Sequence, residues 1–154
     1  MDDVDGFFDR LEQRIKEAIP HAIDAGLTTL MQDVLYETES GRSPVTRTDF
    51  ASYSTFYEDY KESKLGLPSS PVNLRVSGSI EEYDIELDAE SSSGTLYFTG
   101  NTYTGARTGE VMAMHQFGRN RVPVRKIFPE SVNELQQDVV DEIRNELLNR
   151  INNA

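Results

Sequence analysis

Apolar residues at Val4, Phe7, Phe8, Leu11, Ile15, Ile19, Ile23, Leu27, Leu30, Met31, Val34 and Leu35 recur mostly at steps of three and four. That spacing places them on one stripe of an α-helix over residues 1–38. Unbroken, the helix runs about 48 Å at ~1.5 Å per residue. Pro20 removes a backbone donor and crowds the preceding turn, and Gly26 is a second interruption, so a kink or restart near Pro20 is expected. A one-sided helix of this length in a small domain packs across a sheet, and it can extend past that sheet to meet a neighbouring subunit.

Residues 39–48 shift to Ser, Gly, Pro, Arg and Thr, which reads as a loop. Asp49 is then placed to cap a second helix over 49–63 carrying Phe50, Tyr53, Phe56, Tyr57 and Tyr60, too aromatic for a solvated surface. A Pro/Ser loop at 67–71 leads into sheet and loops over 72–128. Between Glu82 and Glu90, Tyr83, Ile85, Leu87 and Ala89 alternate with acids, the period-2 mark of a strand. Residues 91–94 turn the chain, and 95–99 form the returning strand of a hairpin. Turn signals at 100–101 and 104–105 leave the stretch around Tyr103 as a short strand or a loop. Residues 110–117 suit a strand or a short helix equally. Ser131 and Glu134 have the Ser-x-x-Glu spacing of a capping box opening a last helix over 131–152, with Val132, Leu135, Val139, Ile143, Leu147 and Ile151 on one stripe. The expected fold is one α+β domain over 1–154: a long N-terminal helix and a C-terminal helix packed on a small antiparallel β-sheet.

Composition narrows the chemistry. The chain has 154 residues with formal charge −12, no cysteine, and only His21 and His115. Disulfides, thiolate chemistry and cysteine-ligated zinc are excluded, and a histidine-built metal site is not expected. No apolar run approaches a membrane span, and Met1-Asp2-Asp3 does not open a signal peptide, so a soluble intracellular domain is expected. The net charge hides an asymmetry. Residues 104–128 hold five basic side chains against one acid, a local +4 that leaves −16 on the rest, and residues 81–90 hold six acids and no base. Opposite signs on one small domain suit head-to-tail association, and equally a solvated sheet face beside a basic loop.

The acidic row has a catalytic reading. Alternate strand residues stand ~6.5–7 Å apart, near the carboxylate separation of inverting glycosidases. No aromatic sugar platform or histidine accompanies these acids in the sequence, and the same alternation marks a solvated face or the lining of an acidic channel. His115 lies beside Gly118 in a turn-rich stretch; the nearest candidate nucleophile, Ser77 before Gly78, lacks the Gly-x-Ser-x-Gly setting. No phosphate-cradling glycine pattern occurs. The basic loop lacks interleaved aromatics for base stacking. The expectation is a non-enzymatic protein without cofactor or metal.

Three segments in order resemble one family. Tyr53-Ser54-x-x-Tyr57-x-x-Tyr60-Lys61 follows a Gly/Ser/Pro loop; Val72-Asn73-Leu74-Arg75-Val76-Ser77-Gly78-Ser79-Ile80 leads into the sheet; and His115-Gln116-Phe117-Gly118 precedes a short basic loop, Val122-Pro123-Val124-Arg125-Lys126-Ile127-Phe128 and a terminal helix. Together they are similar to the phage virion-morphogenesis proteins of the head–tail neck, also called tail-completion or head–tail connector proteins. Asn73 stands where the family pattern has an acid, and Lys126-Ile127 lengthens the Arg-to-Phe spacing by one. The resemblance implies a virion structural protein, assembled in the bacterial host cytoplasm into a ring of six between portal and tail tube, with DNA passing through the lumen and no membrane partner. On that reading Arg107, Arg119, Arg121, Arg125 and Lys126 are docking candidates, and Glu82, Asp84, Glu86 and Asp88 line the lumen, where like charge lets DNA slide. Gly78 and Gly118 serve as turn residues, and Pro123 stiffens the approach to the last helix. Arg125 clamps a carboxylate or carbonyl, His115 bridges backbone groups, and Phe128 anchors the helix. Two other readings stay open: a monomeric module gripping a peptide with its Tyr/Phe-rich helix, and a carboxylate- or metal-dependent hydrolase.

Overall fold

The computed structural model describes residues 2–74, 78–102 and 104–153, with side chains from Gly6 onward. Val4's side chain, the Arg75-Val76-Ser77 stretch with its candidate nucleophile, and Tyr103 lie outside the described residues. Four helices and one hairpin follow in order: α1 (Asp2–Glu39), α2 (Thr55–Leu65), β1 (Tyr83–Asp88), β2 (Ser93–Phe98), α3 (Thr108–Phe117) and α4 (Gln137–Asn153). Single 3-10 turns occupy Ser79–Glu81 and Val132–Glu134. The long N-terminal helix and the C-terminal helix pack against a two-stranded antiparallel sheet, the expected α+β architecture. By compactness the chain divides into one unit of Met1–Leu30, Ile85–Leu96 and Gln136–Ala154, and another of Met31–Asp84 and Tyr97–Leu135.

In the first unit α1 continues as helix through Pro20 without the expected restart. The flanking residues Ala18 and Ala22 are both buried, and this packing holds the helix across the lost donor. Gly26 is no interruption either. A Cβ at that position would overlap Cγ1 and Cδ1 of Ile143, so the glycine is the site where α4 seats a branched side chain against α1. Gly94 on β2 plays the same part for the hairpin: a Cβ there would stand 2.6 Å from Ile23 Cγ2 and 2.8 Å from Leu27 Cδ1. Two absent side chains thus let helix, helix and hairpin meet, with Val139 buried among the apolar residues of this unit.

The second unit begins on the last turns of α1, where Met31 and Val34 are fully buried. That helix ends on acids, which oppose its dipole, and the following loop supplies the compensation. Arg47 grips Asp33 through two bonds (2.8 and 3.0 Å) and reaches Glu37 at 2.9 Å, while Arg42 Nε pairs with Glu37 at 2.9 Å. A bridge between Arg42 and Asp49 closes the loop. Asp49 is therefore part of the loop and does not cap α2. Ser54 does so, its side chain accepting from Tyr57 N–H, and Gly66 ends the helix in the left-handed region (φ 63°). The stretch that suited strand or helix is helix α3, ended by Gly118 at φ 63°, and Gly78 (φ 75°) turns the chain before the hairpin. These two glycines occupy the turn positions expected of them.

The start of α4 differs from expectation. Ser131 makes no side-chain cap; Glu134 instead accepts from Glu130 N–H (2.7 Å) and pairs with Lys126 Nζ (2.5 Å). With its carboxylate so engaged, Glu134 closes one 3-10 turn, Val132 stays exposed, and the α-helix opens at Gln137.

Candidate functional site

The second unit contains a cavity of about 580 Å³ walled mainly by 53–57 at the start of α2, 108–115 of α3 and the return segment 120–125, with Leu74, Ser79, Thr102 and Thr104 completing the lining. The return segment is fastened to α3 by its backbone, Arg125 N–H donating to His115 C=O at 2.8 Å. Gln116 completes the fastening. Its Oε1 accepts from Ile127 N–H (2.7 Å) and Phe128 N–H (3.0 Å), and its Nε2 donates to Phe128 C=O (2.9 Å). One buried amide thereby satisfies the backbone groups that a neighbouring strand would otherwise take.

Arg125 is the centre of this site. Only 2% of it is exposed, and it donates from Nε and Nη2 to Ala51 C=O (3.1 and 2.8 Å), from Nη2 to Ser52 C=O (3.1 Å), and from Nη1 to His115 Nδ1 (3.0 Å). Its guanidinium carbon lies 5.2 Å from the centre of the Tyr53 ring. A second buried cation shares that ring: Lys61, 1% exposed, stands with Nζ 4.9 Å from the Tyr53 centre and donates to Asn73 Oδ1 at 3.0 Å. Both cations rest on carbonyl dipoles and an aromatic face, not on a carboxylate. Burial lowers the pKa of both, and burial raises those of Tyr53 and Tyr57. His115 is pushed down to about 4, first by burial and then by the charge of Arg125, so near neutral pH it is an uncharged acceptor at Nδ1 with its proton on Nε2. Thr108, 1% exposed, brings to the wall a hydroxyl that has no hydrogen-bond partner among the described residues.

The residues singled out from the sequence separate into three groups. His115, Pro123 and Arg125 come together at the cavity, Gly118 ends α3 against Val122 and Val124, and Phe128 packs on Phe98 at 6.0 Å between ring centres. Arg125 is corrected as a docking candidate: it is buried and clamps two carbonyls, the other role considered for it. Lys126 is largely covered, and its pairing with Glu134 raises its pKa. Arg107, Arg119 and Arg121 are exposed, Arg119 lying 5.4 Å over the Phe117 ring. Glu82, just before β1, and Asp84, Glu86 and Asp88 along it are exposed. Asp88 is also a turn residue, accepting from Glu90 N–H (2.9 Å) and from the Ser91 hydroxyl (2.6 Å), which holds its carboxyl below the usual range. His21 is exposed on α1. Among the described residues no three His, Asp or Glu side chains gather into a group that could hold a metal ion.

Sequence reasoning missed Lys61, Thr108 and Gln116 as components of the site. Lys61 lies in the Tyr53–Lys61 segment, but a lysine on a helix reads as solvated. Nothing in the local pattern marks a glutamine that pairs with backbone eleven residues away. No family model, no curated protein and no solved structure matches the chain.

Proposed function

We propose that this protein is a non-enzymatic structural component of a phage virion, a ring-forming connector of the head–tail neck through which DNA passes. The observation that carries this reading is the exposure of two segments of opposite charge on one chain: Arg107, Arg119 and Arg121 in or beside the loops flanking α3, and Glu82, Asp84, Glu86 and Asp88 at the start of and along β1. The order of the sequence motifs, with the turn glycines and the Arg125 clamp inside them, supports the same assignment. In such a ring Arg119 and Arg121 dock against an acidic surface of the next subunit, and the β1 acids face the lumen.

Light scattering across protein concentration and salt tests the assembly. The expected result is a discrete oligomer near six subunits whose mass falls as salt screens the contacts. The double change Arg119→Glu and Arg121→Glu should lower that mass, and an unchanged mass would remove both residues from the interface. Imaging of the ring with the four β1 acids on its outer wall would overturn the lumen assignment. The cavity beside Tyr53 and Tyr57 favours a second reading, a monomeric binding module, which predicts a constant mass at all concentrations and a soluble ligand in that cavity.

A further inference from the structure

We propose that the cavity between α2 and α3 is a binding site for an organic carboxylate, an anionic head on an apolar or aromatic body, with the head toward Arg125 and Arg121 and the body against Tyr57, Met112 and Met114. This rests on the second unit alone and stands whether or not the ring reading holds.

The first argument is charge. Arg125 and Lys61 are two nearly inaccessible cations beside one aromatic ring, and their hydrogen-bond partners are carbonyls, an amide and a neutral imidazole. Removing a cation from water without an anion nearby is costly, and the described residues lining the cavity include no Asp or Glu to offset the charge of Arg125. Lys61 stands over the Tyr53 ring and does not line the cavity; Arg121 joins Arg125 as the second positive charge in the lining, exposed and held at φ 64°. Arg125 has five N–H donors, of which four are engaged as described, leaving one on Nη1. The second argument is the Thr108 hydroxyl, buried at the wall without a partner among the described residues. A buried polar group left unmatched is destabilising, and a ligand oxygen would satisfy it. The third is shape and lining. About 580 Å³ falls within the range that holds a small organic molecule, and Leu74, Val111, Met112, Met114 and Val122 form an apolar wall that a bare inorganic anion would leave uncovered. An anionic head with an apolar body answers all three.

The two lining methionines provide the test. In protein labelled with [13C]methyl-methionine, titration with phenylacetate should shift the Met112 and Met114 resonances saturably, while Met31, fully buried away from the cavity lining, stays in place. Neutral phenylacetamide, of nearly the same shape, should bind at least about tenfold more weakly, the difference expected for one charge-assisted contact. Arg121→Asn removes the exposed charge while suiting a left-handed backbone. It should weaken phenylacetate by about three- to tenfold and leave phenylacetamide unchanged. Absence of a saturable shift at both methionines, or equal affinity for the acid and the amide, would overturn the proposal. Light scattering with and without phenylacetate then separates the sources of the carboxylate. A loss of mass assigns it to the side chain of a neighbouring copy, and an unchanged mass with bound phenylacetate assigns it to a free acid.

Discussion

His115 keeps a neutral imidazole in contact with a buried guanidinium, an arrangement that works only while Nδ1 has a free lone pair. Burial first, and then the Arg125 guanidinium 3.0 Å away, disfavour the protonated ring and lower its pKa from 6.5 to about 4. The folded chain therefore takes up this proton at lower pH than the unfolded chain. The stability linked to His115 is complete above about pH 6.5 and is lost as pH falls toward 4, by about 3 kcal/mol in all. His115→Asn retains an acceptor that does not titrate. Urea unfolding at pH 7 and pH 4 should show the variant losing about 3 kcal/mol less than the parent over that interval. Equal losses would mean that Nδ1 is not the atom protonated. At this scale the sequence singled out His115 and Arg125 separately, one as a bridge between backbone groups and the other as a clamp or docking residue, and their contact with each other was not legible in it. Lys61 and Thr108 were not legible: their importance comes from burial, which depends on what the rest of the unit places over them.

Between elements, the contact of α1 with α4 depends on a missing side chain. In a solvated helix Gly→Ala gains about 0.5–1 kcal/mol from backbone entropy alone. At Gly26 the added methyl would overlap Ile143, and overpacking of this kind costs about 1–3 kcal/mol, so Gly26→Ala is expected to be destabilising on balance. Ile143→Ala removes the two atoms in the way and leaves a cavity that the new methyl partly fills. The double variant should then be more stable than the sum of the two single losses allows. Additive losses in urea unfolding of the four chains would show that the two residues do not share the contact. Hydrophobic periodicity disclosed α1, the hairpin and α4, since a stripe of period 3.6 or 2 survives whatever it packs against. It misplaced the helix starts. Asp49 and Ser131 both have the chemistry of a cap, but Asp49 lies in the bridge with Arg42, and Glu134 beyond Ser131 is held by Lys126 and the Glu130 amide. Capping is a competition among partners, and the losing candidates look the same in sequence as the winners.

For the molecule as a whole, the apolar stripe of α1 runs further than its cover. Burial along the helix begins at Ala18, whereas Phe7 and Phe8 are 54% and 59% exposed and Ile15 is also exposed. The two phenylalanines touch each other edge to face at 5.5 Å. A solvated helix end has no need of two aromatic rings, while covering the exposed half of each by a neighbouring subunit would contribute about 1–1.5 kcal/mol. Apolar contact and charge contact respond differently to salt. If Arg119 and Arg121 supply one interface and the N-terminal turns of α1 another, high salt should weaken assembly without abolishing it, because burial of rings is not screened. Phe7→Ser with Phe8→Ser should leave the unfolding free energy within about 0.5 kcal/mol of the parent, as expected for surface positions. If the proposed oligomer forms, the same variant should remove its salt-resistant part in light scattering. Undiminished assembly would make the helix end a solvated extension with no partner. A loss of several kcal/mol in unfolding would instead place the rings in the fold of the single chain. Only a fall in mass without a fall in stability identifies the first turns of α1 as a surface made for another subunit.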